Sequence, residues 1–160
     1  MNKMIIRQLD FYTDGAYSSK TEMGGWACVC IEDDMVIDEQ RGKEPYTTNN
    51  RMELMGFLCA LENANTIASN NVCVNIYVDS AYIANCFKDK WYARWLKNGW
   101  RTADRQEVKN QDLWVRIVAL YIKLSARIQL NIIKVKGHHE NQWNSYADLL
   151  AVKARKELEI

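Results

Sequence analysis

Five stretches of the chain are rich in residues that suit strands, and in the first of them apolar and polar positions alternate. The predicted strands cover residues 5–13, 26–32, 36–43, 72–78 and 128–136. Only short turns separate the first three, and such closely spaced strands favour an antiparallel meander.

Apolar residues at helical spacing occupy much of the remaining chain. The predicted helices are one capped by Asn49 or Asn50 that runs to about Asn65, one that starts at Asp79-Ser80, one over 88–97 that Gly99 ends, one over 112–127, and a last one capped by Asn144 or Ser145. The resulting order, β-β-β-α-β-α-α-α-β-α, predicts an α/β fold in which helices cover a mixed five-stranded sheet.

Length and composition limit the class of protein. A chain of 160 residues suits a single domain over 1–160, and no apolar run is long enough for a membrane span. The five cysteines are odd in number and lie in apolar segments, which indicates reduced core thiols and a cytoplasmic location. We expect a monomer, and no further domain before the first strand, because that strand begins almost at once.

The net charge of +1 conceals an uneven distribution. Between residues 88 and 109 there are seven bases and three acids, so that segment carries +4 and the rest of the chain −3. The segment contains three of the six tryptophans, and two of them, Trp91 and Trp95, lie among its bases. Such a segment is either a nucleic-acid contact or a helical hairpin with a solvated face.

Four carboxylates, Asp14, Glu53, Asp79 and Asp148, are predicted at strand ends or helix starts. Each has a plausible structural role alone: Asp14 as a turn residue, Glu53 bonded back to a cap at Asn50, Asp79 as a helix cap, and Asp148 in the first turn of a helix. Together they are better explained by convergence, because ligands gather beyond the carboxyl ends of neighbouring strands in open α/β sheets. Carboxylates in one cleft repel unless cations lie between them, and hard oxygen ligands suit Mg²⁺ or Mn²⁺.

A histidine near this cluster could move protons or help product leave. His138 and His139 are neighbours in a glycine-preceded loop, ten and nine residues before Asp148. Chemistry alone does not choose between them.

The segments YTDGA, TTNNRMEL, YVDS, GWRTAD, VKNQDLW and VKGHHENQWNSYADLLA resemble, in order and spacing, the bacterial-type ribonuclease H of the first type. The resemblance implies the ribonuclease H-like fold: three antiparallel strands, then two parallel ones, flanked by helices, with a basic helical handle. It also implies cleavage of the RNA strand of RNA–DNA hybrids by two Mg²⁺ ions, for which Mn²⁺ can substitute, giving 5′-phosphate and 3′-hydroxyl ends.

The same resemblance assigns roles to individual residues. The four carboxylates match the family's catalytic and metal-binding acids, and His138, rather than His139, matches its catalytic loop histidine. The matching substrate-binding positions are Tyr17 and Ser19 in the first turn, Thr48 and Asn110 on a DNA phosphate, Asn49 and Asn50 in the minor groove, and Trp91 and Trp95 beside the DNA strand.

Some positions depart from the family pattern. Lys20 stands where many relatives have asparagine, and Tyr46 where many have arginine. These changes leave the carboxylates intact but bear on affinity and on 2′-hydroxyl contacts around Ser19. Two rival hypotheses are a binding module that has lost catalysis, which would leave gaps among the acids, and a related nuclease with another substrate, such as a DNA nuclease or the nuclease part of a reverse transcriptase.

Overall fold

A computed structural model describes residues 7–135 and 141–160. Its elements are β1 (Arg7–Tyr17), β2 (Gly24–Glu32), β3 (Met35–Glu44), α1 (Asn49–Ile67), β4 (Val72–Val78), α2 (Ala81–Lys88), α3 (Trp91–Asn98), α4 (Gln111–Ser125), β5 (Gln129–Lys134) and α5 (Gln142–Glu157). The predicted α/β fold and the order of its elements are confirmed.

The five strands form one mixed sheet in the order β3-β2-β1-β4-β5. β2 pairs antiparallel with β1 and β3, whereas β4 pairs parallel with β1 and β5 with β4. Three antiparallel strands are therefore followed by two parallel ones, as the family resemblance implied. β1 is the central strand.

Buried residues lie on both faces of this sheet. On one face, α1 and α4 pack against the strands, and the largest buried side chains there include Phe11, Phe57 and Trp114. On the other face, α5 covers β1 and β2, where Tyr12 and Ala147 belong to a second, smaller cluster. The five cysteines are buried and free, as predicted.

β1 extends further than predicted. Its antiparallel pairing with β2 continues to Tyr17 opposite Gly24, so Asp14 lies inside a strand rather than at its end. The parallel pairing with β4, in contrast, stops at Tyr12 opposite Tyr77. Asp14 therefore lies just beyond the point where β1 and β4 separate.

Two predicted helix caps are wrong. Thr48, not Asn49 or Asn50, caps α1, because its hydroxyl accepts a bond from the Arg51 N–H at 3.1 Å. Asn141, not Asn144 or Ser145, caps α5, accepting bonds from two backbone N–H groups at 2.7 and 3.3 Å.

The basic segment folds as α2's end, α3 and a loop. α3 begins at Trp91, three residues later than predicted, because Lys90 adopts a left-handed conformation with φ 54°. Gly99 ends the helix at φ 74°, as predicted. Among the described helices none combines the length and apolarity that a bilayer span requires.

Candidate active site

Glycines bring the first two carboxylates together. A Cβ built on Gly15 would lie 2.6 Å from the Glu53 backbone nitrogen, so α1 can approach β1 this closely only because position 15 lacks a side chain. A second glycine, Gly56, lies over the Asp14 backbone, where a Cβ would be 3.2 Å from its carbonyl oxygen. The start of α1 therefore lies directly above Asp14.

The other two acids reach the same region from different elements. Asp79 follows the last residue of β4, and Asp148 lies on α5, which packs across β1 and β2. Asp14 interacts with both Glu53 and Asp148, and Glu53 interacts with Asp79. These interactions link the four carboxylates pair by pair, from Asp148 through Asp14 and Glu53 to Asp79, and the four together form the acidic cluster.

The pKa values of the two buried members show the cost of this arrangement. Burial raises the pKa of Asp14 to about 7, and hydrogen bonding to Asp148 and its negative charge act in the same direction. Burial also raises the pKa of Glu53 well above its ordinary value, reinforced by Asp14 and Asp79. When all four acids are ionised, their negative charges are therefore poorly compensated by the surrounding protein.

The donor set fits a divalent cation. Glu53 Oε2 is buried and has no hydrogen-bond partner among the described residues, so one carboxylate oxygen is left for another ligand. In residues 7–135 and 141–160, no three acidic, histidine or cysteine side chains already stand close enough around one point to hold a metal ion. An ion would therefore need side-chain movements that draw these oxygens together.

The structure also tests the purely structural explanations for three of the acids. With Thr48 as the cap of α1, Glu53 is too far along the helix to bond back to it. Ser80, not Asp79, caps α2, since its hydroxyl accepts a bond from the Ile83 N–H at 3.2 Å. Asp148 is the seventh residue of α5, beyond its first turn, so the expectation that it lies at a helix start is wrong.

Sequence reasoning missed Asn141, which connects α5 to the site strand. Besides capping the helix, its amide donates to the Tyr12 hydroxyl at 3.2 Å, two residues before Asp14. The sequence did indicate Asn141 as a possible helix cap, because an asparagine there precedes the apolar positions of α5. Two later polar residues, Asn144 and Ser145, are also good caps and were preferred.

A polar cavity of about 490 Å³ lies at the start of α1, the helix that carries Glu53. It is lined by four of the predicted substrate-binding residues together with one lysine: Thr48, Asn49, Asn50, Asn110 and Lys109. Two helix N-termini, those of α1 and α4, thus face one cavity that carries a positive side chain. Such a cavity is suited to an anion.

The basic segment over residues 88–109, called the handle, contributes most of the lining of a second cavity, of about 460 Å³. Trp91 is partly buried, whereas Trp95 is only 7% exposed and packs against Trp114 with ring centroids 5.3 Å apart. Trp95 is therefore mainly a core residue, and only a small part of its surface lines the cavity. Arg94 and Lys109 stand at its wall.

The seven bases of the segment are all exposed: Lys88, Lys90, Arg94, Lys97, Arg101, Arg105 and Lys109. Tyr17 and Ser19 lie at the end of β1 and in the following turn, partly buried and exposed respectively. His138 and His139 lie outside the described residues.

Acidic side chains beside the central strand of a mixed five-stranded sheet are suited to metal-assisted hydrolysis of phosphate esters. The family model described as RNase H matches residues 7–156. The chain is 43% identical over 152 residues to the ribonuclease H of Chlorobaculum parvum, covering 94% of this chain and 97% of the relative. It is 40% identical over 146 residues to that of Moorella thermoacetica, covering 91% and 90%. The chain belongs to the ribonuclease H family, whose members are nucleases that hydrolyse phosphodiester bonds.

Solved structures agree on the fold. LC9-RNase H1, a type 1 ribonuclease H, superimposes with a TM-score of 0.77 at 23% identity, over 98% of this chain and 75% of that chain. LC11-RNase H1 in complex with an RNA/DNA hybrid gives 0.71 at 17% identity, over 95% and 99%.

Proposed function

We propose that this protein cleaves the RNA strand of RNA–DNA hybrids internally, leaving 5′-phosphate and 3′-hydroxyl ends. The family supports endonucleolytic cleavage of RNA in such hybrids. The observation that carries the proposal is the linkage of Asp14 to Glu53 and Asp148, and of Glu53 to Asp79, beside the central strand. A binding module that had lost catalysis would lack one or more of these acids.

The carboxylates would hold two Mg²⁺ ions, with Mn²⁺ as a substitute. Asp14 would be shared, since it interacts with acids on both sides; Glu53 and Asp79 would complete one set of ligands and Asp148 the other. Bound divalent ions would activate a water and stabilise the leaving oxygen during phosphodiester hydrolysis.

The residues around the cluster would bind and orient the hybrid. Thr48 and Asn110 face the polar cavity from two helix N-termini, where a phosphate of the DNA strand would be stabilised. Asn49 and Asn50 are exposed beside them, in position to contact base edges in a minor groove. We further infer that Tyr17 and Ser19 contact the RNA strand.

The handle would follow the DNA backbone. Its exposed bases supply the attraction to phosphates, and Trp91 supplies an aromatic surface at the cavity wall. Trp95 would act mainly by supporting Trp91, since the ring centroids of the two are 6.4 Å apart. RNA would be distinguished by its 2′-hydroxyls in a wide, shallow minor groove.

His138 would transfer protons near the reacting phosphate. This role rests on its position ten residues before Asp148 and on the family resemblance. A single domain over 1–160, a monomeric state and a cytoplasmic location likewise stay predictions of the sequence.

The direct test is a panel of matched RNA–DNA, RNA–RNA and DNA–DNA duplexes, each with one labelled strand, incubated with Mg²⁺ or with chelator. We expect cleavage of the RNA strand of the hybrid alone, and none with chelator. Cleavage of DNA strands would support a DNA nuclease instead. Binding of the hybrid without cleavage of either strand would support the binding module.

A further inference from the structure

One arginine joins the two helices that face the polar cavity. Arg51, in the first turn of α1, donates through Nη1 and Nη2 to the two carboxylate oxygens of Asp112 on α4, at 3.1 and 2.8 Å. Its Nε donates to Glu44 at the end of β3, at 2.9 Å. The guanidinium thus connects three elements, with a two-pronged contact that fixes orientation as well as distance.

This connection lies where the cavity is formed. Thr48, three residues before Arg51, caps α1, and Asn110, two residues before Asp112, caps α4. The Asn110 side chain makes no capping bond to its own helix, and its backbone is left-handed at φ 59°. The distance between Thr48 and Asn110 therefore depends on how the starts of α1 and α4 are held together.

Arg51 is poorly arranged to bind an anion itself. Three of its donor bonds go to carboxylates, and with Glu44 and Asp112 it forms a group whose net charge is −1. A net negative group beside a phosphate site would weaken binding through its charge. Its presence there is better explained by the geometry that it imposes.

We propose that Arg51 and Asp112 are positioning residues that hold Thr48 and Asn110 at the spacing required by a backbone phosphate of the nucleic acid. This inference rests on the proposed function, because it assumes that the cavity receives a phosphate of the bound hybrid. Exposed ion pairs contribute little to stability, so the effect should appear in substrate binding rather than in folding.

The structure provides a matched control on the same two helices. Arg116 on α4 pairs with Glu62 on α1 at 2.6 Å, about three turns beyond Arg51 along α1 and about one turn beyond Asp112 along α4. Asp112→Asn and Glu62→Gln each remove one negative charge from an arginine pair between α1 and α4. Only the first pair lies beside the helix N-termini.

The test compares KM and kcat for hybrid cleavage in the wild type, Asp112→Asn, Glu62→Gln and Arg51→Lys, with thermal unfolding of each. We expect Asp112→Asn to raise KM about tenfold with kcat nearly unchanged, although the variant is more positive. Arg51→Lys should raise KM similarly, because an ammonium cannot form the two-pronged contact. Glu62→Gln should leave KM unchanged.

An Asp112→Asn variant that folds normally and has an equal or lower KM would overturn the proposal, because charge alone would then explain the site. Equal effects of Asp112→Asn and Glu62→Gln would also overturn it. If Asp112→Asn unfolds, the test uses Arg51→Lys instead: a folded Arg51→Lys variant with an equal or lower KM would overturn the proposal. Failure of the wild type to cleave the hybrid would instead refute the proposed function.

Discussion

Asp14 has the central position among the carboxylates, since it is only 4% exposed and interacts with acids on two sides. Asp14→Asn keeps the shape of the side chain but removes its charge. We expect this variant to lose cleavage in Mg²⁺ by at least about a thousandfold while hybrid binding persists. Single-turnover cleavage and a separate binding assay measure the two properties. Substantial turnover by Asp14→Asn would refute the assignment of Asp14 as the ligand that two ions share.

The raised pKa of Asp14 predicts a pH dependence of stability in the metal-free protein. Because the pKa is about 7 in the folded state and 3.8 ordinarily, the folded state binds more protons between these values. The free energy of unfolding should therefore fall as pH rises through this window. Asp14→Asn should remove part of that fall and be more stable than the wild type above about pH 7, by on the order of 2 kcal/mol.

Urea unfolding with chelator at several pH values measures this difference. Asp10→Asn is the control, because Asp10 lies on the same strand and bonds to Asn75 at 3.0 Å, outside the acidic cluster. If the gain from Asp14→Asn were the same at every pH, the explanation by ionisation would be wrong.

Gly15 is predicted to be necessary for the close approach of α1 to β1 that brings Glu53 near Asp14. Gly15→Ala would place a Cβ 2.6 Å from the Glu53 backbone nitrogen, so α1 would have to move away from β1. We expect a loss of about 2 kcal/mol in the free energy of unfolding and a clear fall in kcat. Gly56→Ala, whose shortest contact would be 3.0 Å, should have the smaller effect on both. The reverse order would contradict this account of the site.

At the scale of elements, the pattern of apolar residues predicted every strand and helix, but not where each begins. The cap of α1 was misplaced by one or two residues because Thr48, Asn49 and Asn50 are all good caps, and only the backbone decides among them. α5 starts earlier than expected because Asn141 both caps it and reaches Tyr12 on β1, a contact between residues 129 apart in sequence.

The handle is the element with the clearest electrostatic prediction. Lys90, Arg94 and Lys97 are exposed on or next to α3. Replacing all three by alanine should weaken hybrid binding and reduce the slope of log K against log salt by about one for each lost phosphate contact. Binding measured between about 50 and 200 mM salt gives this slope.

The control for the handle variant changes three bases elsewhere. Lys123, Lys153 and Lys156 are exposed on α4 and α5, so their triple alanine variant has the same net charge. We expect its salt slope to match that of the wild type. Equal slopes for all three proteins would mean that the handle makes no phosphate contacts.

At the scale of the molecule, the four acids and their convergence could be predicted from the sequence, but the sheet register that positions Asp14 could not. Residues 14, 53, 79 and 148 meet because β1 is central, β4 lies next to it, and α1 and α5 cross it on opposite faces. The expectation that Asp14 ends its strand was wrong, because β1 stays paired with β2 as far as Tyr17 although its pairing with β4 stops at Tyr12. Only the sheet register shows that β4 separates first.

The central claim is that these carboxylates form one divalent-metal site. Anomalous diffraction from a crystal of the wild type soaked in Mn²⁺ tests it most directly. We expect at least one manganese peak in contact with carboxylate oxygens of both Asp14 and Glu53, and its loss in Asp14→Asn. Manganese bound only elsewhere on the surface, with Asp14 and Glu53 free of it, would contradict the account.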